Sequence, residues 1–464
     1  MMGEREPAQD ALFNYGVNLE KRMPRDHRLR KIAEVLDLGF VREAVAGTYG
    51  QRGHVSEDPV VVVKLMLLLF LDDIKSEREL MRMVPLRLDY LWFLGLGLED
   101  EVVHHSVLSK ARARWGERLF EELFVRSVHQ CVEAGLVEGS KLHVDSSLVD
   151  ANASRSSVLK ASPELIIRLK EAYAAQTAKL EESSVPSQEA TVNERMMSTS
   201  DPDAAMARKG PGDVSRPRYH HHRAVDDAHG VIVAQESTPG HVNEATRLGN
   251  LVDQAQSNMQ SKVQTVVADR QYGTAANFVA LASQGISTHM GDLRSRQKNV
   301  QCQGIFGEEQ FGYDPLSDTY RCPAGESLKP VQWDELRQSW RYRTAGGVCA
   351  RCDLRAQCTR SKHGRSLRRH GQEELLRKAR AQSQSPEGRR DRRRRMHLME
   401  RSFAEAASQH GFKRSRWRRL WRQRIQDCLI ALVQNLRILL RGPRLRPAES
   451  LAAHYTKFID CYSL

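Results

Sequence analysis

The stretch whose reading decides the fold is KLHVDSSLVDANAS, Lys141–Ser154. Leu142 and Val144 alternate with His143 and Asp145, the period-two pattern of a strand. Two serines follow the aspartate, and the segment dissolves into small polar residues. A carboxylate inside an apolar strand is costly unless it is paired, hydrogen-bonded or bound to a metal. Asp145 therefore either sits at a strand end and caps a turn or holds a cation. One aspartate does not decide between these.

The situation recurs in VQTVVADRQYGTAANFVALASQGISTHM (263–290). An apolar strand ends in Asp269, a turn leads away, and a helix and another strand follow. This is a βαβ unit whose first strand reads as buried on both faces. Ligands of open α/β sheets sit at strand C-terminal ends. A helix-borne third carboxylate would close such a site. Glu400 in LMERSF (398–403) is the best placed, where a basic run meets an apolar-periodic helix. Glu405, Glu373 and Glu374 compete for that role. Three acidic oxygen donors suit a hard cation, and Mg²⁺ takes one or two carboxylates plus substrate phosphate oxygens. Two such ions clamp the attacking and leaving oxygens of an in-line phosphoryl displacement.

The charge agrees with that chemistry. The 464-residue chain carries 71 Lys and Arg against 58 Asp and Glu, a net of +13. Residues 385–424 hold 14 of the basic and 4 of the acidic residues, so a net of +10 lies in one stretch. A polyanion, most simply nucleic acid, is the natural partner. Hydrophobic residues make up 40%, enough for a buried core. The N-terminus lacks the apolar segment of a secretory signal. The longest apolar run, VVVVKLMLLLFL (60–71), is interrupted by Lys64 and falls short of the roughly 20 residues of a membrane span. It reads as a buried core helix.

The organisation follows from pattern. HRLRKIAEVLDLGFVREAVA (27–46) reads as one helix, and 56–135 is dense in helical pattern. SEDPVVVVK opens with Ser56, acids and a proline, a helix start. HHSVLSKARARWGERLFEELFVRSVHQCVEAGLV (104–137) reads as one long amphipathic stretch. With its neighbours it suits a helix-turn-helix reader of DNA or a packing domain alone. Residues 154–215 read as polar and loosely helical, with a loop or insertion over 182–213, His229-Gly230 as a hairpin turn, and His220-His221-His222 as strand or surface rather than a metal site. A helix is expected from Arg389, and then another with one apolar stripe, Ile425, Cys428/Leu429, Leu432/Val433, Leu436 and Leu439/Leu440.

Cys322, Cys349, Cys352 and Cys358 cluster in YRCPAGESL and GGVCARCDLRAQCTRS. The CxxC pair and the Cys-Pro-Ala-Gly turn suit a zinc knuckle, and four thiolates suit a closed tetrahedral Zn²⁺ site. The second arm is irregular, and free thiols in a loop are the other reading. Cys131 and Cys428 read as core.

Together these motifs resemble a known family. HVDSSLVDANAS (143–154), AVDDAHGVIV with STPG (224–240), VVADRQYG (266–273) and ERSFAEAASQHGFKRSRWRRLWRQRIQDCLIALVQNLRILL (400–440) look like the DDE transposases of bacterial insertion sequences. The upstream helices resemble that family's N-terminal domain, so the likeness runs from about residue 28 to 442. It implies a fold: an α/β, RNase H-like mixed sheet with flanking helices, preceded by an all-α domain and interrupted by a cysteine-containing insertion. The expected parts are an N-terminal segment 1–55, helices 56–135, a first core part 140–300, an insertion 301–365, a second core part 366–442 and a tail 443–464. It implies that Asp145, Asp269 and Glu400 bind Mg²⁺ or Mn²⁺. It also implies strand cleavage at the element's ends and 3′-hydroxyl attack on target DNA. Arg395, Arg401, Lys413, Arg414, Arg416, Arg418 and Arg419 would hold phosphates. The implied partners are double-stranded DNA, terminal repeats and target alike, and a second copy of the chain. The implied setting is cytoplasmic and nucleoid-associated. Two departures stand out: Gln271 follows Arg270 where the family has glycine, and Ala407 takes the place of a lysine, which Lys413 or Arg414 could replace. A nuclease of the same fold without strand transfer and an inactive DNA-binding relic are the rival readings.

Overall fold

The computed structural model describes residues 2–3, 18–50, 55–180, 196–210, 212–291 and 304–442. Residues 182–195 and 211 of the expected loop (182–213) and the tail from 443 lie outside the described residues. The chain forms two compact units, residues 1–264 with 394–464, and residues 265–393.

In the first unit, eight helices come before any strand: α1 Leu19–Arg22, α2 Arg28–Val35, α3 Val41–Ala46, α4 Pro59–Leu71, α5 Glu77–Met83, α6 Leu88–Leu94, α7 Ser106–Trp115 and α8 Arg118–Glu133. Helix α4 begins as its sequence demands. Asp58 caps Val60 N at 2.9 Å, Pro59 fills the first turn, and Arg42 clamps the Asp58 carboxylate at 3.2 and 2.7 Å. All of α4 except Val60 and Lys64 is buried, so the apolar run is a core helix, as expected. Lys64 escapes by laying its ammonium 5.3 Å from the Phe93 ring centre.

Two expected long helices are broken. Residues 27–46 split at Asp37, whose carboxylate accepts from Gly39 N at 3.0 Å and fixes a turn. The stretch 104–137 splits at Gly116, whose φ of +66° ends α7. Arg112, on the segment suited to DNA reading, is buried. It pairs with Glu77 at 2.5 Å and stacks over Trp417 at 3.8 Å, which commits it to packing.

Strand β1, Lys141–Asp150, follows. Residues 154–215 hold a helix, α9 Pro163–Leu180, where loose helix is expected, together with three short strands, β2 Val158–Lys160 and, inside the stretch expected as loop, β3 Met196–Ser198 and β4 Ala205–Ala207. Strand β5, Arg216–Asp226, runs antiparallel to β1, with Asp145 opposite Arg223, and forms a hairpin with β6, Ile232–Pro239. The expected turn at His229-Gly230 is present, with Gly230 at φ +78°. Helix α10, Leu248–Met259, packs on β6.

The three histidines of β5 are interior, not surface. His221 and His222 are fully buried, and His222 shares a hydrogen bond with Thr238 Oγ1 at 2.9 Å. Burial pushes His220, His221 and His410 below their ordinary value and His222 well below it. A histidine held neutral in the fold takes up protons more readily when unfolded. Its contribution is therefore complete above the unfolded value near 6.5 and lost as pH falls through the folded value. The urea midpoint should drop between pH 7 and pH 5, and His222→Gln should flatten that slope.

Helix α14, Pro386–Gln409, begins three residues before the expected Arg389, because Pro386 fits a first helical turn. Helix α15, Leu420–Arg441, departs from its expected single stripe. Every residue from Ile425 to Leu436 is buried, against α8, α4 and β6. Its polar residues all have partners. Asn435 receives Ile232 N and donates to Ile232 O, both at 2.9 Å, and Gln426 receives Arg416 N at 2.8 Å. Asp427 receives Ser237 Oγ at 2.5 Å and Gln423 Nε2 at 2.9 Å.

In the second unit, β7 Thr265–Ala268, α11 Ala275–Ser283 and β8 Ser287–Met290 form the expected βαβ unit, with β7 and β8 parallel. Helix α13, Glu373–Gln384, packs on β8 and α11, and His289 Nδ1 meets Asp391 Oδ2 at 2.7 Å. Between them a small antiparallel sheet runs in strand order: β9 Gly312–Asp314, β10 Thr319–Arg321, β11 Ser327–Asp334, β12 Ser339–Arg343 and β13 Ser366–His370, with the one-turn helix α12 Arg355–Cys358.

Candidate active site

The strand pleat sorts β1 into two faces. His143, Asp145 and Ser147 share one, and each has an acquired partner. His143 Nε2 meets Asp227 Oδ1 at 2.6 Å, and Arg394 holds the same carboxylate and donates to Asp227 O at 2.6 Å. Asp145 Oδ1 accepts from Ser146 N at 2.9 Å, and its Oδ2 accepts from Arg395 Nη1 at 2.7 Å. Ser147 Oγ accepts from Lys413 Nζ at 2.6 Å.

Lys413 reaches β1 because the chain after α14 runs beside the strand. Gly411 turns out of the helix at φ +64°, where a Cβ would lie 2.6 Å from Asp73 Oδ1, so only glycine fits. Asp150 N then bonds Lys413 O at 3.0 Å and Ser415 N bonds Asp150 O at 2.8 Å.

Glu400 is exposed on α14 and has no hydrogen bond or ion pair among the described residues. Its competitors are committed. Glu405 pairs with Arg437 at 3.1 Å, Glu373 with Arg380 at 2.8 Å, and Glu374 with Arg369 at 2.7 Å. Helical spacing fixes the flank that Glu400 occupies. Arg394 and Arg401 lie on the flank facing the β5–β6 turn, where Gly230 sits against Arg401. Glu400 shares the other flank with Phe403. The Phe403 ring packs 5.6 Å from Phe412 and lies within 6.0 Å of the Lys413 ammonium. Glu400 lies beside Phe403 on the exposed side of α14, roughly 140° round the helix from Arg395, which holds Asp145.

Beneath this flank lies a buried polar network. The fully buried Arg223 donates to Ser402 Oγ at 2.8 Å, Gln434 Oε1 at 3.0 Å and His221 Nε2 at 3.2 Å. His221 in turn lies 3.2 Å from Asp427. Burial draws Arg223 down to about 10, so it stays cationic at neutral pH. The network joins β5, α14 and α15, and its contact on Ser402 lies two residues from Glu400.

In the second unit, Asp269 stands exposed just past β7. Its Oδ1 accepts from Arg270 N at 2.5 Å and caps a single turn, Arg270–Tyr272. Gly273 follows, where a Cβ would lie 1.9 Å from Gly291 O. Gln271 is exposed and its φ is not positive, so the glycine expected there has no conformational necessity.

The basic candidates divide. Arg401, Lys413, Arg414 and Arg418 are exposed. Arg395 is mostly buried on Asp145. Arg416 binds Asp73 at 2.9 Å and lies over Phe70 at 4.5 Å, and Arg419 binds Asp203 at 2.9 Å. These last two act as structural cations. Their sequence neighbours look the same because the pairing acids lie far away in the chain.

Two family profiles match. One, described as a transposase domain (DUF772), matches residues 17–114, and the other, a transposase DDE domain, matches residues 321–440. This chain is a DDE transposase. Its α/β fold is the RNase H-like mixed sheet with flanking helices that the family implies. Among solved structures, the transposase is similar to the Mos1 transposase in a paired-end complex with the left transposon end. That match has 14% identity and a TM-score of 0.16, and covers 52% of this chain and 60% of the other. Among curated proteins none matches. No described helix of the transposase is long and apolar enough to cross a membrane.

The three carboxylates expected as donors are of the chemical kind that suits a hard cation. Asp145, Asp269 and Glu400 are all carboxylates at least partly open to solvent. Among the described residues, no group of three or more His, Cys, Asp or Glu is arranged to hold a metal as it stands. The Asp227–His143–Arg394 cluster escaped sequence reasoning, although Asp227 lies in the quoted AVDDAHG. Its signal was the doubled aspartate after a strand.

Proposed function

We propose that this transposase cleaves DNA at the ends of its element and joins the 3′-hydroxyl to target DNA, using Asp145, Asp269 and Glu400. The observation that supports this reading is the uncommitted, exposed Glu400 carboxylate on α14, the helix whose Arg395 holds Asp145. The three carboxylates would hold Mg²⁺ or Mn²⁺, which when bound stabilises charge on the attacking and leaving oxygens of phosphoryl transfer. Arg395 pairs with Asp145 and orients its carboxylate. Lys413, Arg401, Arg414 and Arg418 bind the DNA backbone, and Lys413 takes the role of the lysine replaced by Ala407. Double-stranded DNA is the substrate, and pairing two ends requires a second copy of the chain.

A labelled duplex carrying the element's ends, incubated with protein and Mg²⁺ or Mn²⁺, tests the reading. Nicks at the ends followed by joined products support it. Nicks without joining would make the chain a nuclease only, and binding without nicking would make it a relic. Lys413→Ala should weaken binding to end DNA by roughly 3- to 10-fold and lower the salt slope by about one. Unchanged binding would remove Lys413 from the interface.

A further inference from the structure

We propose that Cys322, Cys349, Cys352 and Cys358 together bind one Zn²⁺ ion, which fastens the small five-stranded sheet of the second unit. The four thiols line one and the same cavity. They arrive there from three separate backbone devices. Cys322 opens a tight turn between β10 and β11, in which Gly325 N donates to Cys322 O at 2.8 Å with Gly325 at φ +84°. Cys349 sits within the single turn Val348–Ala350 that follows Gly347, at φ +82°, and Cys352 lies just beyond that turn. Cys358 is the last residue of α12.

The surroundings are built for thiolates. The Thr344 hydroxyl lies 3.2 Å from Cys349 Sγ, a neighbour of the kind that orients a metal-bound sulfur. Gly364 presses on the same cysteine, since a Cβ there would lie 3.0 Å from its Sγ. Arg355 and Arg365 also line the cavity and would balance the charge of four thiolates on a divalent ion.

The sheet needs such a fastening. Its core consists of Phe311, Tyr320, Leu328, Tyr342 and Leu367, with Cys322 and Cys358 packed against it. Small modules with cores of this size are commonly stapled by a metal or disulfides. The described cysteines are free thiols and do not already form a closed ligand set. Closing it takes side-chain rotation and the release of four protons, as Zn²⁺ replaces the hydrogens on four sulfurs.

The test uses the full chain purified without chelators. Elemental analysis should find about one zinc per chain, retained in Glu400→Gln and lost in the Cys349→Ser/Cys352→Ser double variant. Because that variant could misfold, wild-type protein is also stripped and refilled with Co²⁺. Sulfur-to-cobalt charge-transfer bands with intense tetrahedral d–d bands are expected. Zinc-free protein that shows no such bands would overturn the proposal. So would thiol counting that reveals a disulfide among the four cysteines, or unaltered cobalt bands in the double variant.

Discussion

Glu400→Gln should lower end cleavage by at least about 10³-fold while leaving DNA binding within about twofold. The substitution keeps side-chain size and removes one charged oxygen donor. If Glu400 holds a catalytic cation, the lost charge falls on the transition state, and a 10³-fold loss corresponds to about 4 kcal/mol of barrier. The fold should be indifferent, because Glu400 is exposed and has no partner among the described residues. The control is Glu405→Gln. Glu405 is held by Arg437 at 3.1 Å, so that change should cost stability more than chemistry. Single-turnover cleavage of a labelled end duplex, beside a binding titration, separates these outcomes. Asp145→Ala and Asp269→Ala should match Glu400→Gln. Cleavage by Glu400→Gln at near wild-type rate would move the third donor elsewhere.

The largest effect on stability should come from Asp427→Asn. Asp427 is buried and is the nearest acid to a chain that runs through His221 to the buried cation Arg223. Removing one charge from such a buried set costs about 3–5 kcal/mol, because the opposite charge stays in a low-dielectric interior. The urea midpoint, followed by circular dichroism, should fall accordingly. A double change, Arg223→Met with Asp427→Leu, should recover part of that loss, since well-packed apolar residues replace buried ions at little cost. It should still impair cleavage. Without Arg223, Ser402 loses the contact that fixes α14 beside Glu400. A double variant as stable as wild type and fully active would deny the network any role in positioning.

Much of the fold was legible because local chemistry and global burial agree there. β1 and β7 announced themselves by β-branched and apolar residues; Asp269 lies just past β7 as expected, whereas β1 runs on to Asp150 and leaves Asp145 inside the strand, paired with Arg395. Helix α4 was legible because an uninterrupted apolar run too short for a membrane has nowhere else to go. Helix α15 was misread for the opposite reason. Gln426, Asp427, Gln434 and Asn435 look like a solvated face until their partners on β5, β6 and α14 are known, and those partners lie far off in sequence. The same holds for the site. Asp145, Asp269 and Glu400 stood out by motif. The separation of free from committed arginines depended on Asp73 and Asp203, which no local pattern connects to Arg416 and Arg419.

The burial of α15 on all sides bears on how the protein is made. Ribosomes release the chain from its N-terminus, so α4, α8 and β6 emerge well before the helix that covers them. Until residue 441 has cleared the exit tunnel, their apolar faces stand open to solvent and to other nascent chains. A premature stop or frameshift anywhere upstream of Leu420 would therefore yield an aggregation-prone fragment and not a smaller working protein. Each new molecule acquires its Asp145 face and its central helix together, once α15 has emerged.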